Sequence, residues 1–211
     1  MTIQKLGHCC LAIKHNGKTI LTDPGEWSNG ADKLQGVDLV LISHEHFDHL
    51  DPALLMKVME NNPGAIVVTN SLVGKVLTDN HIPFQVIEDS APTHVHGVSI
   101  QPFTSEHQPV YEGAPAVLNS SYLIGERLFF PGDSFTSPDV EVDILALPVA
   151  GPWLTMGQSL DYAVAIKPRF AIPVHDGMLK TVDWLYKHPQ RVLSQSNIQF
   201  VGLKPGEEAE M

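Results

Sequence analysis

The stretch that most restricts this chain is Ser43-His44-Glu45-His46-Phe47-Asp48-His49-Leu50, in which three histidines and one aspartate fall within six positions. It follows Val37-Asp38-Leu39-Val40-Leu41-Ile42, an apolar, β-branched run with almost no alternation. A run of that kind reads as a strand buried on both faces. It precedes Asp51-Pro52-Ala53-Leu54-Leu55-Met56, where Asp51 suits a helix N-cap and Pro52 the first helical position. The cluster therefore belongs on a short loop between a buried strand and a helix. Imidazole and carboxylate are the side chains that bind zinc-like divalent metals. A tight loop lets His44 and His46 turn toward one point while Asp48 and His49 turn toward another.

The rest of the chain has the make-up of a single domain. Its 211 residues are 43% hydrophobic and 18% charged, enough for a sizeable core. A formal charge of −11, with 13 scattered Lys and Arg, argues against nucleic acid as a partner, because phosphate binding needs basic clusters. Cys9 and Cys10 are adjacent, at a Cα separation of ~3.8 Å that a disulfide does not normally span. Two reduced cysteines and no signal-peptide core suit a cytoplasmic protein. No apolar run reaches the ~20 residues of a membrane helix.

Strands are expected at 2–6, 9–14 and 18–22, with His15-Asn16-Gly17 as a hairpin turn. A helix over 52–61 and a strand over 65–69 come next. A helix over 71–79 capped by Ser71 and a strand over 84–88 follow. His94 and His96 fall on one face of a solvated strand. Further strands are expected at 98–104, 116–124, 127–130 and 143–147. Thr155 and Gln158 form a capping box for a helix running to about residue 166. A strand over 169–174 precedes a helix over 181–196 interrupted at His188-Pro189, then a strand over 197–202. The polar tail 204–211 reads as loose. Asp23, the 44–49 cluster, His107, Asp133 and His175 each follow the carboxyl end of an expected strand, where α/β sheets gather their ligands.

His44-x-His46-x-Asp48-His49 resembles the signature of the metallo-β-lactamase-fold hydrolases, and the later residues follow that family's order across nearly the whole chain. The resemblance implies an α/β fold of four layers, an αβ/βα sandwich of two mixed sheets with helices outside, in two lobes of about 1–97 and 98–211. It implies a first metal held by His44, His46 and His107, a second held by Asp48, His49 and His175, and Asp133 bridging both. Asp23 would support the metal loop, and His8 would stand just behind the metals. The cofactors implied are two divalent ions, zinc first, with manganese or iron as alternatives. The activity implied is hydrolysis of a small ester, lactone, amide or phosphoester by a metal-bound hydroxide, with Asp48 orienting the nucleophile. The nearest look is the bacterial branch that includes the L-ascorbate 6-phosphate lactonase. Iron-dependent oxygen or sulfur chemistry on the same scaffold, and a non-catalytic metal-binding module, are the alternatives. The expected partner is a small-molecule substrate, between loops 24–30, 108–115, 150–155 and 176–180, with Trp27, Tyr111, Trp153 and Lys180 along the walls.

Overall fold

The computed structural model describes residues 1–88 and 90–211. Two seven-stranded sheets face each other. The first contains β1 (Thr2–Gly7), β2 (Cys10–His15), β3 (Lys18–Thr22), β4 (Leu39–Leu41), β5 (Ile66–Thr69) and β6 (Gln85–Val86). The second contains β7 (Thr93–Val95), β8 (Val98–Glu106), β9 (Leu118–Ile124), β10 (Leu128–Phe130), β11 (Ile144–Pro148), β12 (Phe170–Val174) and β13 (Gln199–Phe200). The last strand, β14 (Glu208–Glu210), returns to the edge of the first sheet, giving the order β14-β1-β2-β3-β4-β5-β6 against β13-β12-β11-β10-β9-β8-β7. Each sheet is antiparallel in one half and parallel in the other. The parallel pairs need crossovers, and those from β4 to β5, β5 to β6, β11 to β12 and β12 to β13 are the helices α1 (Pro52–Asn61), α2 (Ser71–Asp79), α3 (Met156–Ile166) and α4 (Asp183–Leu193).

Two periodicities explain the four layers. In β4, Leu39 and Leu41 face the core between the sheets, while Val40 faces α1 and α2. In β11, Ile144 and Ala146 face the same central core, while Leu145 and Leu147 pack under α3 and α4. A strand covered on both sides has no polar face, hence the unbroken apolar runs. The helices contribute one apolar side each, Leu55 and Val58 from α1 and Val73 and Leu77 from α2.

Several expectations are corrected. The tail is not loose: β14 pairs antiparallel with β1, and the Met1 amino group donates to the Met211 carbonyl at 2.9 Å. The sheets also do not divide at residue 97, because β7 already belongs to the second sheet and β14 to the first. Helix α4 runs through Pro189, since Leu185, Pro189 and Leu193 lie at a spacing of four and are all buried. That apolar stripe offsets the backbone bond a proline cannot make. The cap of α2 is Asn70, whose side chain accepts from the backbone N–H groups of Leu72 and Val73, and not Ser71. His94 and His96 do not share a strand face, because β7 ends at Val95 and His96 takes φ 50° in the turn with Gly97. The expected strand over 84–88 is two residues long, Gln85–Val86.

Candidate metal centre

The chemistry-bearing residues converge where strands of both sheets end. His8 follows β1, Asp23 follows β3, the 44–49 loop follows β4, His107 follows β8, Asp133 follows β10 and His175 follows β12. Three of these, His8, Asp23 and His175, hold φ of 34°, 34° and 61°. A left-handed backbone is uncommon for residues with a Cβ, and at these three strand ends it turns the side chains toward the site. Gly132 explains how Asp133 reaches the centre. It turns at φ 60°, and a Cβ there would stand 2.3 Å from Asn119 Oδ1 and 2.8 Å from Ser43 Cβ. Only glycine lets β10 turn this tightly against the metal loop. Asn119 Oδ1 then accepts from the Asp133 N–H at 3.0 Å.

Two donor groups result. His44, His46 and His107 form one; Asp48, His49 and His175, with His8, form the other, and within each the ligand atoms lie within 4.8 Å of one another. Asp133 stands between them: Oδ1 is 3.1 Å from His49 Nε2, while Oδ2 is 3.1 Å from His107 Nε2 and 2.8 Å from His175 Nε2. All seven residues expected as ligands are thus brought together.

Hydrogen bonds decide which ring nitrogen carries the lone pair. His175 Nδ1 lies 2.6 Å from the Ala150 carbonyl and His107 Nδ1 lies 2.5 Å from that of Gln108. A carbonyl only accepts, so both rings carry their proton on Nδ1 and turn a bare Nε2 to the centre. His49 Nδ1 is held the same way by Asp23 Oδ2 at 2.6 Å. The Ser43 hydroxyl donates to Asp23 Oδ2 at 2.6 Å, which leaves its oxygen to accept from His44 Nδ1 at 3.0 Å. His46 points its Nδ1 at His44 Nε2, 3.0 Å away. Asp23 therefore orients two rings and, through the Ser43 N–H at 2.7 Å, the start of the loop. His8 is the exception. Its Nδ1 accepts from the Gly177 N–H at 3.0 Å, so in the neutral ring Nε2 carries the proton. His8 is at ligand distance with the wrong tautomer for a ligand, and its Nε2 faces Asp48 Oδ2 at 3.2 Å.

The residues fit a metal on this ground. His49 Nε2 and Asp133 Oδ1 are buried and face each other, yet neither makes a hydrogen bond. Buried polar atoms are rarely left so, and a cation between them would satisfy both. A model described as the β-lactamase superfamily domain matches residues 2–175. The chain belongs to the β-lactamase superfamily. Within it the two-sheet architecture is the metallo-β-lactamase fold, and the class is that of metal-dependent hydrolases. Among superfamily relatives, Protein Rv0786c of Mycobacterium tuberculosis is 29% identical over 85% of each chain. A UPF0173 metal-dependent hydrolase of a Polaromonas species is 28% identical over 92% of this chain and 83% of its own. The structure of Igni18, a metallo hydrolase of Ignicoccus hospitalis, superposes with a TM-score of 0.75 at 19% identity, covering 100% of this chain and 98% of that one. The isothiocyanate hydrolase of Delia radicum gut bacteria superposes with a TM-score of 0.74 at 16% identity, over 100% and 99%.

The electrostatics of this superfamily site are those of imidazoles around ionised carboxylates, and His49 is set apart: burial would lower it, but Asp133 and Asp23 raise it well above the ordinary value. Burial holds His44 well below the usual imidazole range, and neighbouring His49 adds to this. Burial opposes ionisation of Asp133, yet His49 and His175 hold it well below the carboxylate range. Asp48 lies at about 2, because the His8 and His49 rings outweigh burial. Three residues near the site went unread in the sequence. Cys9 lies beside His49 and Asp133, but burial raises its thiol well above the ordinary value and keeps it protonated, unlike a thiolate ligand. Lys5 is fully buried and donates to both oxygens of Asp176 at 2.7 Å, directly after His175. Its place beside Ile3 on one face of β1 was the available signal. Lys180, expected on a wall, lines a neighbouring cavity with Lys204. Among the described residues, no helix is long and apolar enough to cross a membrane.

Proposed function

We propose that the chain hydrolyses a small molecule at a two-metal centre, with His44, His46 and His107 on one ion, Asp48, His49 and His175 on the other, and Asp133 shared. Three imidazoles, His49, His107 and His175, held at Nδ1 by neighbours and turning Nε2 toward the one carboxylate of Asp133, carry this reading. The nitrogen and oxygen donor set, with the thiol kept protonated, favours zinc. Bound zinc ions supply Lewis acidity and a water acidified to a pKa of ~7. The chain's own contribution is to hold the donors, with Asp48 oriented by His8 and free to position the attacking water. The reduced, buried Cys9 and Cys10 support a cytoplasmic setting.

Metal analysis together with a panel of esters, lactones, amides and phosphoesters tests this. About two zinc ions per chain and metal-dependent turnover are expected. Iron with oxygen consumption would replace the reading with oxidative chemistry, and a filled site without turnover on any panel member would replace it with a binding module.

A further inference from the structure

We infer that the substrate is an uncharged carbonyl ester whose acyl arm is apolar. This rests on the hydrolase reading. The cavity above Asp48, Asp133 and the histidines has a volume of about 270 Å³. Beyond the ligand candidates its walls are Trp27, Phe47, Val110, Pro152, Trp153 and Met178. Not one is a lysine, an arginine or an uncharged hydrogen-bonding side chain of the Ser, Thr, Asn or Gln type. A phosphate or carboxylate arm would therefore meet apolar surface and the carboxylates of Asp48 and Asp133, with no counter-charge from the walls.

Exposure points the same way. Phe47, Val110, Tyr111 and Met178 are 53%, 48%, 65% and 38% exposed, which is costly for large apolar groups unless something covers them. Three of them rim this cavity, and Tyr111 lines a second one of about 430 Å³ that shares His46, His107 and Val110 with the first. The second is walled mostly by Pro109, Ala114, Pro115, Ala116 and Val117, with Glu106 and Gln108 as its polar members. An arm too long for the first cavity runs over Val110 into the second.

The aromatic walls are fixed in advance. Trp27 packs edge-on against Phe47 at 5.4 Å and against His8 at 4.8 Å. Trp153 packs against His175 at 5.3 Å, His107 at 5.9 Å and Phe135 at 5.5 Å. Rigid apolar walls lose little entropy when an arm settles on them. In the reaction the water oxygen bonds to the carbonyl carbon and the carbon–oxygen bond to the alcohol breaks. One water proton goes to the departing alkoxide, and the other leaves the new carboxylic acid as it ionises.

The test is a series of p-nitrophenyl esters, acetate to octanoate, against p-nitrophenyl phosphate, on zinc-loaded protein. Each buried methylene contributes about fourfold, so kcat/KM should rise at least tenfold from acetate to hexanoate. Phe47→Ala and Met178→Ser should flatten the rise, read as a fall in the hexanoate-to-acetate ratio of kcat/KM. Binding is read separately on metal-free Trp184→Phe protein, where Trp27 and Trp153 are the remaining tryptophans. Phenyl hexyl ether should change their fluorescence saturably. A flat ester series, or the phosphate ester preferred over the carboxylic esters, overturns the inference and leaves the hydrolase reading standing. An unchanged fluorescence also overturns it. Hydrolysis of no carboxylic ester overturns the inference, and the hydrolase reading falls with it only if the lactones, amides and phosphoesters are also left intact by zinc-loaded protein.

Discussion

In His44, His49, His107 and His175 the δ nitrogen gives its proton to a neighbour, while in His8 it accepts one. That single reversal separates a ring that can ligate from one that cannot, although His8 lies as close as the others. His8→Ala should therefore keep both metals and lose turnover, by roughly tenfold, the worth of one hydrogen bond to a charged group. Elemental analysis beside kcat checks this, and loss of one metal in the variant would make His8 a ligand after all. Asp133 makes the opposite case, because its two oxygens face both donor groups, Oδ1 toward His49 and Oδ2 toward His107 and His175. Asp133→Ala should bind fewer than one metal per chain, whereas His44→Ala and His175→Ala each keep about one. Retention of both metals by Asp133→Ala would reduce it to a turn residue. The gathering of these seven residues at one place was legible because their types and strand-end places stand in the sequence. The tautomers were not, because they depend on Ala150, Gln108 and Gly177, which contribute only backbone.

At the scale of elements, the loop that carries the donors is held from below by another loop. A Cβ on Gly25 would lie 2.0 Å from the Asp48 carbonyl oxygen and 2.5 Å from the His49 nitrogen. Both are backbone atoms and cannot swing away. Gly25→Ala must push residues 48 and 49 toward the cavity, so metal affinity should fall at least tenfold while the circular dichroism spectrum stays that of the parent. Zinc competition with a chromogenic chelator measures it; unchanged affinity would mean that the loop yields freely. Elements were legible where one periodicity ruled. The runs at 37–42 and 143–147 have partners on both faces, and the capping box at Thr155 and Gln158 forms as read. Reading failed where a long-range contact overrides a local signal. Pro189 is carried by the stripe of Leu185 and Leu193, and Glu208-Ala209-Glu210 becomes a strand because β1 offers a free edge. The alternation in that tail is present, but the turn signal Lys204-Pro205-Gly206-Glu207 before it conceals a pairing partner some two hundred residues away.

The molecule as a whole is joined across the sheets by a polar network. Lys5 of β1 donates to Asp176 and to the Pro173 carbonyl at 2.9 Å, and the Tyr186 hydroxyl of α4 donates to Asp176 Oδ2 and lies 3.1 Å from the Leu203 carbonyl. Lys5→Met leaves the Asp176 charge buried without its cation, so it should destabilise by about 3 to 5 kcal/mol, with Lys5→Met/Asp176→Asn closer to the parent. Urea midpoints of the three proteins decide this; a double variant weaker than the single would show that the pair is not the source.

Proton binding links the same centre to the stability of the whole fold. In metal-free protein, burial lowers His8 to about 4, with the nearby His175 and His49 rings adding to it and Asp48 opposing. Burial also lowers His44 and His46. His49 goes the other way: burial would lower it, but Asp133 and Asp23 on either side raise it well above the ordinary value. All four titrate near 6.5 in the unfolded chain. As pH falls from about 6.5 toward 5, the unfolded chain therefore gains protons at His8, His44 and His46 that the folded chain does not. His49 already holds its proton in the folded chain there, so it opposes this slope near 6.5, one group against three. Stability must fall on acidification through this window, at up to about 1.4 kcal/mol per pH unit for each such group. Above about 6.5 the order reverses, because only the folded state keeps the His49 proton, and stability of the metal-free protein declines as pH rises. Metal needs His49 neutral, so the loaded protein should lack that alkaline decline and release a proton on binding. Urea unfolding of chelator-treated and zinc-loaded protein at pH 5, 6.5 and 8 reads both effects. A metal-free protein that grows more stable between pH 6.5 and 5 would mean that these imidazoles are not held neutral by the fold.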